Sequence, residues 1–250
     1  MRKYLGHAMI FLFLVIALES CIVSESFIGL NPSYKDMTLK KTAAIPVFFI
    51  PDPTLDLEID PSFVTALDIQ FFIQRTIVES FKKQSNVQGI SFTQVNKILE
   101  RRNKTQILKD IFQYYNLRIK QVLRHKLSAK FYKCYIAKDF ISFYADCLAS
   151  QDSKWKDLVW GLSQELRNAD SLLLPIVSQL TTQNQDDKKA LHFQLNVLLV
   201  SSKNSEIIWA KQKSLVLEGN DVSMQDFSNA FSKSLSDAFW DDFPGREKLK

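Results

Sequence analysis

Leu191 to Leu217 reads LHFQLNVLLVSSKNSEIIWAKQKSLVL, and this stretch decides the fold. Leu191, Phe193, Leu195, Val197 and Leu199 alternate with His192, Gln194 and Asn196, the period-two signature of a strand with one wetter face. Ser201 to Glu206 makes a turn, and Ile207 to Leu217 returns as the antiparallel partner. Upstream, Leu172 to Thr181 is another strand, in which Pro175 argues for an edge or a bulge because proline donates nothing to a central ladder. Downstream, Asp221 or Ser223 caps a last helix with Phe227, Phe231, Leu235 and Ala238 on one face. Trp240 to Pro244 ends that helix, the proline being sufficient reason for the stop.

Toward the N-terminus, Thr42 to Ile50 (TAAIPVFFI) reads as a buried strand bounded by Pro51 and Pro53. Asp60 and Pro61 supply an N-cap and first-turn proline for a helix reaching about Gln84. Its polar stripe is narrow, Asp68, Arg75, Glu79 and Lys82, so the rest of the helix is buried against something broad. Val87 to Phe92 is a short strand, with Thr93 placed to cap the next helix. Residues 90–160 hold neither glycine nor proline and are helical throughout, with breaks expected at Asn103, around Ser128, at Asp139 and at Ser150 to Ser153. The element order is βα, βα, several helices, βββ, α. That order predicts an α+β (mixed α/β) class with a single sheet, an antiparallel C-terminal hairpin and packed helices.

Composition narrows the function. Of 250 residues only 6 are glycine, the closest two (Gly6 and Gly29) 23 positions apart, which excludes a dinucleotide fingerprint or a phosphate loop. Residues 1–20 have the zones of an export signal: Arg2 and Lys3, an apolar run from Ala8 to Leu18, then a polar site. That run is too short to span a bilayer, which takes about 20 residues. Leu18-Glu19-Ser20-Cys21 resembles a bacterial lipobox, with Leu and Ser in their usual places and Glu19 outside the pattern. An ordinary signal peptide and an uncleaved anchor are the other readings of the same segment. With Cys21 acylated, for instance by palmitate, the mature chain is held at a membrane by its lipid. Ile22 in place of an inner-membrane retention Asp favours the outer membrane and a periplasmic or envelope address. Residues 21–41 are then a tether, with Phe27, Ile28, Leu30 and Tyr34 apolar enough to pack in part on the domain at 42–245. Losing Arg2, Lys3 and Glu19 takes the net charge from +5 to +4.

That charge is concentrated. Arg101 to Lys138 holds 11 Lys or Arg against one acid, Asp110, and five of the seven tyrosines lie between Tyr114 and Tyr144. Such a pattern suits nucleic acid in a cytoplasmic protein, but export removes nucleic acid as a partner. Arg118, Lys120, Arg124 and Lys126 then form a candidate surface for an anionic envelope partner, by screened Coulomb attraction. The alternative is the solvated face of amphipathic helices. Cys134 and Cys147 in an oxidising compartment are either a disulfide or two buried thiols. Thirteen residues of straight helix would separate them by about 20 Å, so a bridge needs the chain to turn between them, with Asp139 the best-placed cap. The acidic loop Asp52, Asp56, Glu58 and Asp60 matches no calcium-loop spacing, and no metal or other cofactor is implied. His125 and His192 lie in different elements with no nucleophile motif. A ligand-binding protein, or a hydrolase using Cys147 and His125, is the competing class, recognisable by a deep pocket lined by Tyr114, Tyr132 and Tyr144.

Ala43-Ala-Ile-Pro-Val-Phe-Phe-Ile50, the TQVNKILERR of residues 93–102, ADSLLLPIVSQL at 169–180 and LHFQLNVLLVSSKNSEIIWAKQ at 191–212 together resemble a superfamily of bacterial lipoproteins. It comprises curli-secretion-type and penicillin-binding-protein-activator lipoproteins and the N-terminal domain of the Tol periplasmic protein. The resemblance implies a lipidated cysteine, a tether and one α/β domain whose final hairpin ends in a Trp-containing strand. Ser205-Glu206-Ile-Ile-Trp209 falls where that family has glycine, then Glu, then Trp, so Asn204-Ser205 replaces the turn glycine. Residues 103–150 have no counterpart and look like a helical insertion. The family offers no catalytic residues. Its members act through protein contacts, as channel subunits, synthase activators or envelope lipoproteins, so the resemblance implies a non-enzymatic accessory or assembly role. The partners it implies are envelope proteins, the peptidoglycan machinery or further copies of the chain. A channel would need an amphipathic hairpin long enough to cross a membrane, and the strand lengths read here supply none.

Overall fold

The computed structural model describes residues 23–30, 39–49, 66–84, 87–124, 153–166, 169–185, 188–219, 222–235 and 237–244. In chain order the strands are β1 (Val23–Leu30), β2 (Lys41–Ala44), β3 (Phe48–Phe49), β4 (Gln88–Ile90), β5 (Ser171–Gln185), β6 (Lys188–Ser201) and β7 (Ile207–Gly219). The helices are α1 (Ala66–Gln84), α2 (Phe92–Arg101), α3 (Gln106–Arg124), α4 (Ser153–Glu165), α5 (Met224–Ser234) and the short α6 (Asp237–Trp240). The sheet runs β1-β7-β6-β5-β2-β4, with β3 pairing β5. It is antiparallel from β1 to β5 and parallel from β5 through β2 to β4. The fold is α+β, as the element order predicts.

The period-two stretch lies at the centre. Its odd residues, Leu191 to Leu199, join Ile69, Ile73, Ile77 and Phe81 of α1 and Phe227 and Phe231 of α5 in one core. On the other face Leu198 and Val200 join Val95 and Leu99 of α2, Ile111 and Tyr115 of α3, and Trp155, Val159 and Leu162 of α4. The result is a layer of helices on each face. Each fully buried Ile or Leu stabilises this arrangement by roughly 1.5–3 kcal/mol against exposure, and the four-residue spacing of Ile69, Ile73 and Ile77 directs them all to the sheet.

Pro175 sits in a central strand, not at an edge, and its surroundings explain why that is tolerated. Thr42 pairs with Ser171 and Phe48 with Ile176, so six steps along β2 and β3 oppose five along β5. The extra residue falls in Ile45-Pro46-Val47, where the ladder is interrupted. Ile45 N–H donates to the Leu173 carbonyl at 2.9 Å, so Leu173 turns its polar groups toward β2. Pro175, two residues on, has the same orientation, and its missing donor therefore faces the interruption.

Two other local readings shift. The strand expected over Val87 to Phe92 is only Gln88–Ile90, because Ser91 takes the cap position expected for Thr93. Ser91 N–H donates to Gln94 Oε1 at 2.9 Å and Gln94 N–H to Ser91 Oγ at 3.4 Å, a reciprocal capping box that Thr93 could not close. At the other end Ser223 caps α5 in the same way with Asp226. The expected break at Asn103 is present, with φ of 55° between α2 and α3. The breaks near Ser128 and Asp139 lie outside the described residues.

β1 takes eight residues of the stretch read as tether into the sheet, pairing Val23 with Val216 and Leu30 with Trp209. The β5–β6 hairpin is also longer than expected, with pairs from Ser171–Ser201 to Gln185–Lys188. Strands of 15 and 14 residues exceed the roughly 9–11 that cross a membrane. Length therefore no longer argues against a channel. Sequence does, since Thr181-Thr-Gln-Asn-Gln185 is polar at every position and offers lipid no apolar side.

Candidate functional site

Three places concentrate chemistry. The first is the turn between β6 and β7. Ser205 adopts φ of 63°, the left-handed conformation for which the resembling family uses glycine. Ser205 N–H donates to Ser201 O at 2.9 Å and Ser201 N–H to Glu206 O at 2.8 Å, closing the loop. Trp155 of α4 donates its indole N–H to Ser205 O at 3.0 Å, and the Ser205 hydroxyl to Lys156 O at 3.4 Å. The turn is thus bolted to the helical layer.

The second is a polar seam across the meander. A bulge shifts the β5–β6 register between Val177 and Gln179. Ser178, freed from the regular pleat, donates to Gln194 Oε1 at 2.7 Å and accepts from Asn196 Nδ2 at 2.8 Å. Gln212 Nε2 then donates to Asn196 Oδ1 at 3.1 Å, and Gln194 Nε2 to Ser214 Oγ at 3.3 Å. Side chains of three strands are satisfied by one another. The even positions of β6 announced this seam, because Asn196 and Gln194 alternate with core residues; the bulge that brings Ser178 in left no sequence signal.

The third is a groove of about 450 Å³ between α1 and α5, lined by Phe72, Arg75, Glu79, Ser80 and Leu235 among others. Arg75 and Glu79 pair at 2.7 Å on its exposed rim, and this bond holds the guanidinium above its ordinary pKa. Ser80 Oγ accepts from the Trp240 indole at 2.7 Å and donates to the Leu235 carbonyl. Its hydroxyl joins the C-terminal segment to α1. Nearby, Lys211 is 2% exposed, its ammonium donating to Phe239 O at 2.6 Å and lying 5.0 Å from the Phe239 ring centre. The period of β7 places Lys211 inward beside Trp209, a signal the sequence reading passed over. Lys213, half-buried, has its pKa lowered by burial.

Few of the residues singled out from sequence are among those described. Arg118, Lys120 and Arg124 belong to α3. Tyr114 is 5% exposed and stacks on Trp155 with ring centres 5.8 Å apart, so it is a core residue. Its helix packs antiparallel to α4, with Arg102 paired to Glu165 at 2.9 Å and Ile107 against Gly161. Ile111, Phe112, Tyr114 and Tyr115 of the basic stretch are therefore built into the second core, while its Arg101, Arg102, Lys104 and Lys109 are exposed. Cys21, Lys126, Cys134, Cys147, His125, Tyr132, Tyr144 and the acidic loop Asp52 to Asp60 lie outside the described residues. Among the described residues no group of three or more His, Cys, Asp or Glu could hold a metal, and no helix is long and apolar enough to cross a membrane.

No protein-family model matches the chain, and the curated proteins give no match. Solved structures do resemble it. A PelC dodecamer from Paraburkholderia phytofirmans is 8% identical over 90% of this chain and 100% of that one, with a TM-score of 0.42. The lipoprotein GNA1162 from Neisseria meningitidis is 9% identical over 78% and 94%, at 0.43. A DUF330 protein from Xanthomonas campestris is 10% identical over 85% of both chains, at 0.37. At these values the likeness is one of general outline.

Proposed function

We propose that this chain is an acyl-anchored lipoprotein of the bacterial cell envelope, on the outer membrane, acting without catalysis as an accessory or assembly factor. The observation that carries the reading is the order of parts at the N-terminus: a short apolar run, Leu18-Glu19-Ser20-Cys21, and then, two residues on, the first strand of the folded sheet. An uncleaved apolar segment so close to β1 would have to share space with the sheet edge, whereas cleavage at Cys21 leaves only a lipidated residue there. The membership proposed is the curli-secretion and synthase-activator superfamily, on the motifs at residues 43–50, 93–102, 169–180 and 191–212.

The role proposed is contact with envelope proteins or the peptidoglycan machinery. Ordered hydroxyls such as Ser80 and Ser205 serve the fold, which supports this over hydrolysis. Arg118, Lys120 and Arg124 are the residues proposed to meet the anionic groups of such partners, and self-association through the sheet edge is compatible with it. Growth with radiolabelled palmitate should label the wild-type chain, and Cys21→Ala should abolish the label and release the protein from membranes. An unlabelled wild-type chain would overturn the reading. Crosslinking in intact cells should then capture an envelope protein or a second copy of the chain.

A further inference from the structure

The sheet register fixes where the proposed anchor enters the domain. Val23 of β1 pairs with Val216 of β7, Val216 with His192 of β6, and His192 with Thr181 of β5, so these four residues form one row across the meander. Cys21 precedes Val23 by two residues, a reach of at most about 7 Å. There is no slack at the attachment point.

The two directions from this row differ. One way, β5 and β6 continue to Gln185 and Lys188, four residues or about 13 Å beyond Thr181 and His192. The strand residues there are Thr182, Gln183, Asn184 and Gln185, opposite Leu191, Ala190, Lys189 and Lys188 in that order. The other way, β6 runs nine residues, about 30 Å, to Ser201 and the turn held by Trp155. β1 itself runs from Val23 toward the turn, so the chain enters from the hairpin end.

We infer that the domain stands on its membrane by the β5–β6 hairpin end, with the bilayer that holds Cys21 as its partner surface and the β6–β7 turn pointing away. This rests on the acylation of Cys21 and adds to it an orientation. A polar strand end suits the headgroup layer, where hydroxyls, amides and ammonium groups stay hydrated, and suits neither the hydrocarbon nor a buried contact. The two-residue link keeps that end within reach of the headgroups at all times. The face offered to the cell is then the turn end, with the exposed Trp160 of α4 on its helical side.

The test uses the full chain, purified from membranes and reconstituted in phosphatidylcholine–phosphatidylglycerol vesicles. Single fluorophores are placed by Gln183→Cys, Glu218→Cys or Lys203→Cys in a Cys134→Ser, Cys147→Ser background; all three positions are exposed. With a lipid carrying a quencher on its headgroup, labels at 183 and 218 should be quenched at least threefold more than the label at 203. Equal quenching, or stronger quenching at 203, overturns the orientation. Intact mass of the same preparation separates the two claims: an unmodified Cys21 overturns the lipoprotein reading itself, and an acylated Cys21 with the reversed pattern overturns the orientation alone. Ten Gly-Ser residues inserted between Ile22 and Val23 should remove the difference among the three labels while leaving the protein acylated. A difference that survives the insertion means that something other than the short link orients the domain, and overturns the mechanism.

Discussion

On one face of the sheet Phe81, Trp209, Phe239, Trp240 and Phe243 pack ring against ring, with Trp209 stacked on Trp240 at 5.9 Å and Phe243 edge-on to both. On the other face Phe48 stacks on Phe112 and Tyr114 on Trp155, set among aliphatic side chains. The difference follows the chain. The aliphatic face is covered by α2, α3 and α4, successive helices among the described residues; the aromatic face is assembled from α1, β7 and the C-terminal helices. Where the pieces come from far apart, large rigid rings bury much area at the cost of few torsions, and two indole N–H groups are aimed at distant partners: Trp240 at Ser80 on this face, Trp155 at Ser205 on the other.

The comparison can be broken most directly at Trp240. Trp240→Ala should cost about 3–5 kcal/mol in guanidinium unfolding, since it empties the centre of the ring cluster and strips Ser80 of a donor, whereas Trp160→Ala, at a residue 58% exposed, should change stability by about 0.5 kcal/mol or less. Equal effects would mean that the ring cluster does not close the fold. The polar seam probes the other face. Asn196→Leu leaves Ser178 and Gln212 short of partners inside the sheet and should cost about 1–3 kcal/mol, read from the urea midpoint at unchanged slope.

Ser223→Ala, at the cap of α5 on the aromatic side, should cost about 1 kcal/mol near neutral pH. Hydrogen bonds from the Ser223 side chain and backbone hold the Asp226 carboxyl below its ordinary pKa. The folded value lies under the unfolded one, so this stabilisation is complete above the unfolded pKa of about 3.9 and is lost as pH falls through the folded value. The Ser223→Ala penalty should therefore shrink in acid, and Asp226→Asn should remove that pH dependence. The smallest effect is expected at the turn. Ser205→Gly relieves a left-handed conformation worth roughly 1 kcal/mol but adds chain entropy of roughly 0.5–1 kcal/mol, for a net change of a few tenths in thermal unfolding. Ser205→Val should destabilise by more, because a β-branched side chain is worst in that region.

The meander was legible because its amides and its alternation serve the same strands, and Trp209 follows the turn at the expected distance. Pro175 points to an edge or a bulge, and the second holds: its missing N–H faces the Ile45 to Val47 interruption, where one strand carries an extra residue. β1 was read as tether because Val23-Ser-Glu-Ser-Phe-Ile-Gly-Leu30 alternates poorly; its partner strand, and not its own pattern, makes it a strand. Trp240 was read as a helix end because its partners, Ser80, Phe81 and Trp209, are remote in sequence. The basic cluster was visible as composition, but composition does not say that the same stretch sends Ile111, Tyr114 and Tyr115 into the core.

The distance in sequence between β1 and β7 has a consequence for how the molecule is made. Val23 meets Val216, so 193 residues separate the partners (216 − 23), and Lys41 N–H waits for Asp170 across 129 residues. A chain synthesised from its N-terminus produces these strands first and pairs them last, which makes assembly slow for its size. Until β1 pairs with it, the 13-residue β7 offers the hydrogen-bonding groups of that edge to a strand of matching register. During that interval a second copy of the chain offers an identical β1, so high concentration turns the last folding step into a contest between closing one chain and exchanging strands between two.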